Sequence, residues 1–195
     1  MTGIPLYLLL IYSCFSINLV LQCGLGIKGV VESKNPFDMP VFIKSIIVFI
    51  SIICMWFFFS MVVSSFFSGL IIYVLLFPVS AVFYSGLEYL IFNFLLKNDR
   101  NNEPEPGFPP VFTAAASFIC VNIAGSILDT VILSFGFIAG LFLINFIIWE
   151  IRRRAALEAV PLFLRGKPLI LIAMGLLSLI FTSASLLLFR MIDAG

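Results

Sequence analysis

Six long apolar stretches dominate this 195-residue chain and leave it very few possible folds. They cover about residues 4–27, 42–64, 70–96, 111–128, 132–150 and 169–189. A bilayer core about 30 Å thick is crossed by roughly 20 residues of helix. Because lipid offers no hydrogen-bond partner to backbone groups, each stretch is predicted to be helical. The sequence therefore predicts an all-α, polytopic membrane protein with six transmembrane helices in a single membrane domain, residues 1–195.

The composition excludes the main soluble classes. Hydrophobic residues make up 62% of the chain and charged residues only 11%, where a soluble domain has about 25% charged residues. Eleven Lys and Arg residues are balanced by ten Asp and Glu residues, so no excess of positive charge is available for nucleic acid. We therefore expect membrane lipid around the chain and no nucleic-acid partner.

The basic residues predict the orientation. Ten of the eleven lie in or beside the connections after spans 1, 3 and 5, namely Lys28, Lys34, Lys44, Lys97, Arg100, Arg152, Arg153, Arg154, Arg165 and Lys167. The opposite side carries only Arg190. By the positive-inside rule, these connections are cytoplasmic and both termini lie outside. Arg152, Arg153, Arg154 and Arg165 form the predicted cytoplasmic basic cluster.

The chain divides into two halves of three spans, residues 4–96 and 111–190, joined by a polar, proline-rich loop at 97–110. Three crossings per half would make the halves inverted repeats, an arrangement that puts functional sites near the midplane. The first span of each half combines an asparagine, a cysteine and glycines: Asn18, Cys23 and Gly24 in one, Cys120, Asn122 and Gly125 in the other. Ordinary small-residue packing, with asparagine bridging helices, is the alternative interpretation.

Few groups inside the predicted spans can do chemistry. The chain has no histidine, and its four cysteines show no metal-binding spacing, so histidine-based catalysis and zinc sites are excluded. Polar groups within membranes are costly and often functional. Asn18, Glu88 and Asn122 are therefore candidates for an ion or electron path, although Glu88 could instead bond structurally to another helix. Glu150 can pair with the neighbouring arginines, and Pro78 is expected to bend the third helix without ending it.

The last third of the chain resembles one membrane-protein family. It contains Arg152-Arg-Arg, then Val160-Pro161, Arg165-Gly166 and a helix with Gly175-Leu-Leu-Ser178-Leu. This order is similar to the end of the RnfA and NqrE subunits of ion-translocating electron-transport complexes. Asn18-Leu-Val-Leu with Leu25-Gly26 is similar to the first helix of that family. Glu88 and Cys120 fall where the family has a glutamate in its third helix and a cysteine in its fourth.

The resemblance implies a fold, partners and a cofactor. Such a subunit has six helices, pairs with an inverted sister subunit of the RnfE/NqrD kind, and works with flavin and iron–sulfur subunits in a bacterial cytoplasmic membrane. Each membrane subunit gives two cysteines to a shared [2Fe–2S] cluster, here Cys120 and Cys23, and four thiolates complete it. Electrons cross the membrane through this cluster, coupled to Na⁺ or H⁺ movement. No flavin, nucleotide site or complete active site is expected on this chain.

The sequence departs from that pattern at the first cysteine. The position two residues after Gly26 holds Lys28, which cannot ligate iron as a thiolate does. Cys23 lies five residues earlier, about 7.5 Å of rise away and about 140° around a regular helix. Two alternatives stay open. One is a scaffold subunit of the same kind of complex without the iron–sulfur cluster, and the other is a small inverted-repeat secondary transporter.

Overall fold

The computed structural model describes residues 6–25, 39–63, 70–95, 110–157, 161 and 166–193. Every regular element within these ranges is helical. The elements are α1 (Leu6–Ile11), a π-helical turn (Tyr12–Ser16), α2 (Leu19–Cys23), α3 (Met39–Phe58, continued by a π-helical turn Phe59–Val63), α4 (Leu70–Leu95), α5 (Pro110–Ile123), α6 (Ile127–Leu157) and α7 (Lys167–Asp193). The prediction of an all-α chain is confirmed.

Four helices are long and apolar enough to cross a membrane: Phe42–Met61, Val74–Ile91, Ile127–Ala155 and Lys167–Leu187. Two apolar segments are shorter, Tyr7–Cys23 and Pro110–Ile123. At about 1.5 Å per residue, the fourteen residues of α5 rise only about 21 Å. The part of the chain that the structure describes is therefore all-helical and contains four helices of membrane-spanning character. The six-span count and the inverted repeat stay predictions.

Three predicted boundaries were wrong. The first span is not one helix, because the backbone leaves helical geometry at Ile17, φ −107° and ψ 54°, and α2 starts only at Leu19. The fourth span ends at Ile123 rather than at residue 128, and α6 begins at Ile127. Asp129 therefore lies in the first turn of α6, not in the connection. Its carboxylate accepts a hydrogen bond from Ser126 N (3.1 Å), while Ser126 Oγ accepts one from Asp129 N (3.3 Å), a reciprocal cap that fixes this start.

Two further predictions have a clear outcome. Helix α4 runs through Pro78 without ending, as expected. Lys44, counted with the charges beside a connection, lies inside α3 and has a buried side chain. A long aliphatic stem can be covered by packing in this way. Lys28, Lys34, Lys97, Arg100 and Arg165 lie outside the described residues.

The packing interleaves the two halves of the chain. The broken first segment packs on α6 and α7 of the second half, while α5 of the second half packs on α3 and α4 of the first. Helices α3 and α6, one from each half, also contact each other. Each short segment is thus enclosed by two long helices, mostly from the other half.

The outer faces of α4 and α7 are apolar. Their exposed residues include Val74, Val82, Leu90, Leu176, Leu179, Ile180 and Leu187. Water would make such continuous apolar faces unfavourable, whereas lipid makes them favourable. Serine and threonine hydroxyls on these helices donate to carbonyls one turn earlier, as Ser80 does to Phe77 O and Thr182 to Ser178 O. Such bonds satisfy polar side chains within one helix.

Candidate functional site

The break in the first segment is held by one side chain. Asn18 Oδ1 accepts hydrogen bonds from Val20 N (3.2 Å) and Leu21 N (3.4 Å), and so caps the start of α2. Asn18 Nδ2 donates to Cys14 O (3.1 Å) on the other side of the break. The side chain is 3% exposed. Both ends of a discontinuous helix are therefore satisfied by a single buried amide, where unpaired backbone groups would be costly.

The backbone just before the break has π-helical geometry. Ile17 N donates to Tyr12 O (3.0 Å), five residues earlier. A further side chain, Gln22, donates to Ser16 O. Helix α2 then ends at Gly24, whose φ of 68° is left-handed and favours glycine. Single π-helical turns inside helices occur often at functional sites.

The broken segment packs directly against two glycines of α6, Gly136 and Gly140. A Cβ on Gly140 would lie 2.8 Å from Cys14 O and 2.9 Å from Asn18 Nδ2. A Cβ on Gly136 would lie 3.1 Å from Leu10 O and would overlap Ser13 Oγ. The two glycines are four residues apart, a spacing that lets helix backbones approach closely in membranes. Sequence analysis missed this pair, although the spacing Gly136-x-x-x-Gly140 is readable in the chain.

Cys120 lies in the last turn of α5 and is 0% exposed. It belongs to the main apolar core, together with residues of α2, α3, α4, α6 and α7. Ser134 of α6 is also fully buried. Its hydroxyl donates to Thr130 O at 2.6 Å, within its own helix. The thiol is therefore enclosed by this chain's own helices.

Cys23 has the opposite environment, since it is exposed at the last residue of α2. A [2Fe–2S] cluster shared between two chains needs both thiols of each chain on a face that the sister can reach. The enclosed Cys120 does not meet that requirement, so the arrangement of the two cysteines does not fit such a cluster. No three Cys, Asp or Glu side chains of the described residues group closely enough to hold a metal ion. A shared cluster would need only two ligands from this chain, so that last observation does not bear on it.

The other path candidates lie apart from the break. Glu88 is half-buried on α4, one turn after the fully buried Tyr84, and the two interact electrostatically. Asn122 is exposed near the end of α5, where its amide donates to Phe118 O at 2.7 Å. Asn18, by contrast, is buried where the first segment packs on α6. The structure therefore gives these three residues different surroundings.

Three members of the predicted basic cluster, Arg152, Arg153 and Arg154, lie in the last two turns of α6. Arg154 Nε bonds to Glu150 Oε1 at 2.9 Å, which confirms the predicted pairing of that glutamate. Arg153 lies over the Trp149 ring, with its guanidinium carbon 5.6 Å from the ring centre. Arg152 is half-buried. Tryptophan and arginine together are typical of the membrane–water interface, which fits the predicted end of the span.

Three hydroxyls in the core were not singled out from the sequence. Ser51 Oγ, Tyr84 Oη and Thr113 Oγ1 are buried and have no hydrogen-bond partner. They lie on α3, α4 and α5 respectively. No pattern in the sequence marks them, because hydroxyl-bearing residues are scattered through the apolar stretches.

The chain matches no protein-family model and no curated protein.

Proposed function

We propose that this chain is a membrane subunit of an ion-translocating electron-transport complex, similar to RnfA and NqrE, in a bacterial cytoplasmic membrane. Its partners would be an inverted sister subunit of the RnfE/NqrD kind and flavin and iron–sulfur subunits of the same complex. The resemblance of the last third of the chain supplies this assignment.

The discontinuous first segment is the observation that carries the proposal. It is broken at a capped, buried Asn18, and the corresponding first helix of the second half, α5, is also short. Short or interrupted helices at matching positions of two halves are the best pointer to a functional site in inverted-repeat membrane proteins. The exchange of packing partners between the halves also supports an inverted repeat.

The resemblance further implies a [2Fe–2S] cluster shared with the sister, held on this side by Cys120 and Cys23. Such a cluster would supply one-electron transfer across the membrane. Because the thiol of Cys120 is enclosed by this chain, we derive no electron-transfer step through it.

The burial of Cys120 favours a second form of the proposal. In that form the subunit keeps the fold and the partners but has no iron–sulfur cluster, and it shapes the path of the transported ion. The presence of Lys28 at the expected position of the first cysteine supports this form.

Iron content and the reduced-state EPR spectrum of the gently purified complex separate the two forms. Cys120→Ser and Cys23→Ser are each paired with a control of like exposure, Cys14→Ser for the buried thiol and Cys54→Ser for the exposed one. Loss of one iron–sulfur signal in Cys120→Ser and Cys23→Ser, and not in the controls, supports the first form. An unchanged spectrum in all four variants supports the second.

Ion uptake tests what the two forms have in common. Membrane vesicles from cells that lack this chain should lose reductant-driven uptake of Na⁺ or H⁺, and restoring the chain should restore it. Unchanged reductant-driven uptake in its absence contradicts the proposed function in both forms.

A further inference from the structure

The positive charge of the chain is concentrated in one connection. From Glu150 to Lys167 the sequence carries five basic and two acidic residues, so the net charge of this stretch is +3. The other connections predicted on the same side, 28–40 and 97–110, carry two basic residues each, against two and three acidic residues. The excess of positive charge on this side therefore lies at the end of α6 and the start of α7.

The end of α6 that carries this charge lies at the depth of lipid headgroups. Twenty residues without a charged side chain, 130–149, separate Asp129 from Glu150 within this one helix. They rise about 30 Å, which equals the thickness of the bilayer core. Trp149 is then at the boundary of the core, where tryptophan is enriched. Arg153 is about 6 Å further along, within a headgroup layer of about 5–7 Å.

The first segment provides a common reference point for counting along α6 and α7. The ring of Phe15 stacks on the ring of Phe181 in α7, with their centres 5.2 Å apart. The same part of the first segment packs against Gly136 and Gly140 of α6. Phe181 is therefore level with the stretch of α6 between these two glycines.

Counting from that reference point places two basic residues at a similar height. Arg153 lies about 20–26 Å further along α6, and Lys167 lies about 21 Å before Phe181 on α7. The two packed helices are antiparallel, because a parallel α7 would begin at least about 46 Å from Leu157, whereas the connection reaches at most about 36 Å. Arg153 and Lys167 are therefore at the same end of the bundle, both at headgroup depth.

Both side chains are exposed and have no carboxylate partner among the described residues. Arg153 lies over the Trp149 ring, whereas Arg154 is paired with Glu150. Helical side chains point toward the preceding turn, so the ring holds the guanidinium of Arg153 beside the boundary of the bilayer core. A guanidinium in that position can donate hydrogen bonds to phosphate oxygens.

The other charges of this region do not cancel the positive charge. Lys44 on α3 and Glu88 on α4 have opposite signs and together add no net charge. Glu158 and Arg165 of the connection balance each other in the same way, although they lie outside the described residues. Arg154 is neutralised by Glu150. The net charge of +3 is therefore carried by Arg152, Arg153 and Lys167.

We propose that Arg153 and Lys167, together with Trp149, form a surface that binds anionic phospholipid at this end of α6 and α7. Basic clusters between membrane helices on the cytoplasmic side are typical sites for anionic headgroups, and each basic residue near the surface strengthens the attraction by about fivefold. Lipid is favoured over an acidic protein because the charges lie at headgroup depth, beside an interfacial tryptophan. The inference goes beyond the proposed complex and needs no redox partner.

The test uses the fluorescence of the purified full chain in lipid vesicles. The chain has two tryptophans, so Trp56→Phe leaves Trp149 as the only one. All vesicles contain equal amounts of phosphatidylglycerol and phosphatidylcholine, and only one of the two lipids is brominated in each preparation. Because bromine quenches tryptophan only at short range, comparing the two preparations shows which lipid lies beside Trp149.

The variants remove one positive charge at a time. Arg153→Gln and Lys167→Gln are made singly and together in the Trp56→Phe chain. Arg190→Gln is the matched control, because Arg190 is exposed in the last turn of α7, at its other end. Inorganic phosphate, added at constant ionic strength, distinguishes a lipid headgroup from soluble phosphate as the ligand.

We expect the relative binding constant at Trp149 to favour phosphatidylglycerol by about fivefold or more. Each single variant should lower this preference by about twofold or more, the double variant should bring it close to one, and the control should leave it unchanged. Inorganic phosphate should not abolish it.

Equal quenching by the two lipids before any charge is removed would overturn the proposal and would favour an acidic protein as the partner of this surface. A preference that persists in the double variant, or that Arg190→Gln lowers equally, would also overturn it. Loss of the preference in inorganic phosphate would assign the surface to soluble phosphate instead. The measurement on the Trp56→Phe chain decides the matter even if a further variant does not fold.

Discussion

The side-chain amide of Asn18 donates to the carbonyl of Cys14 across a break in the first apolar segment, at 3.1 Å. The oxygen of the same side chain caps α2. One residue thus joins the two parts of a discontinuous helix. In an apolar environment this arrangement keeps the break in place without any help from water.

Replacing Asn18 with alanine should destabilise the fold. Two backbone donors and one acceptor lose their partner, and we expect a loss of about 2–4 kcal/mol in the free energy of unfolding. Unfolding of the purified chain in mixed micelles, followed as SDS is added, measures this loss. Asn93→Ala on the exposed side of α4 is the matched control and should change stability by less than about 0.5 kcal/mol. A similar small change for Asn18→Ala would mean that the break is held by other contacts.

Alanine at Gly140 should be poorly tolerated. The added methyl would meet the backbone of Cys14, which cannot move without shifting the broken segment. We expect a loss of about 1–3 kcal/mol in the same unfolding assay. Gly136→Ala should act in the same direction through Leu10 and Ser13.

Two other glycines give a direct comparison. A Cβ on Gly86 or Gly175 would have nothing within 4 Å, so alanine there should be neutral or stabilising by up to about 1 kcal/mol. If all four alanine variants behaved alike, the close approach of α6 to the first segment would be contradicted.

Thiol labelling tests the packing and the orientation together. In single-cysteine chains, the exposed Cys23 should react with a membrane-impermeant maleimide, while the buried Cys14 and Cys120 should not. The charge distribution predicts that the end of α2 is cytoplasmic, so labelling of Cys23 should occur in inside-out vesicles only. Leu128→Cys, exposed in the first turn of α6, should be labelled only from the outside. Labelling of both from one side would contradict the predicted orientation.

Two carboxylates at opposite ends of α6 should differ in their effect on stability. Asp129→Asn weakens the reciprocal cap with Ser126 and should cost about 1 kcal/mol. Glu150→Gln removes an exposed ion pair with Arg154 and should cost less than about 0.5 kcal/mol. The unfolding assay used for Asn18 measures both. An equal or larger cost for Glu150→Gln would show that the end of α6 depends on that pair.

The sequence was most informative about features that depend only on residues close to each other along the chain. Hydropathy predicted the helical segments, and the position of Glu150 beside three arginines predicted an ion pair, which forms with Arg154. The start of α6 was readable too, because Ser126-x-x-Asp129 has the pattern of a capping box, but the apolar run was extended through it. The glycines after Cys23 drew attention to the end of the first segment, whereas the break lies earlier, at Asn18.

Features that depend on which helices meet could not be predicted. The spacing of Gly136 and Gly140 can be read from the sequence. The backbone around Cys14, against which they pack, comes from the other half of the chain and could not be predicted as their partner. The burial of Cys120 follows from the packing of α5 between helices. The unpaired hydroxyls of Ser51, Tyr84 and Thr113 are defined only by tertiary structure, since each is unremarkable within its own helix.

The central claim is membership of a two-subunit, inverted membrane core within a redox complex. Mass spectrometry of the complex, purified gently through a tag on this chain, tests it most directly. The account predicts one sister chain of six apolar segments and opposite orientation, in equal amount, together with flavin-containing subunits. Recovery of this chain alone, or only with further copies of itself, would contradict the account and would favour a small secondary transporter.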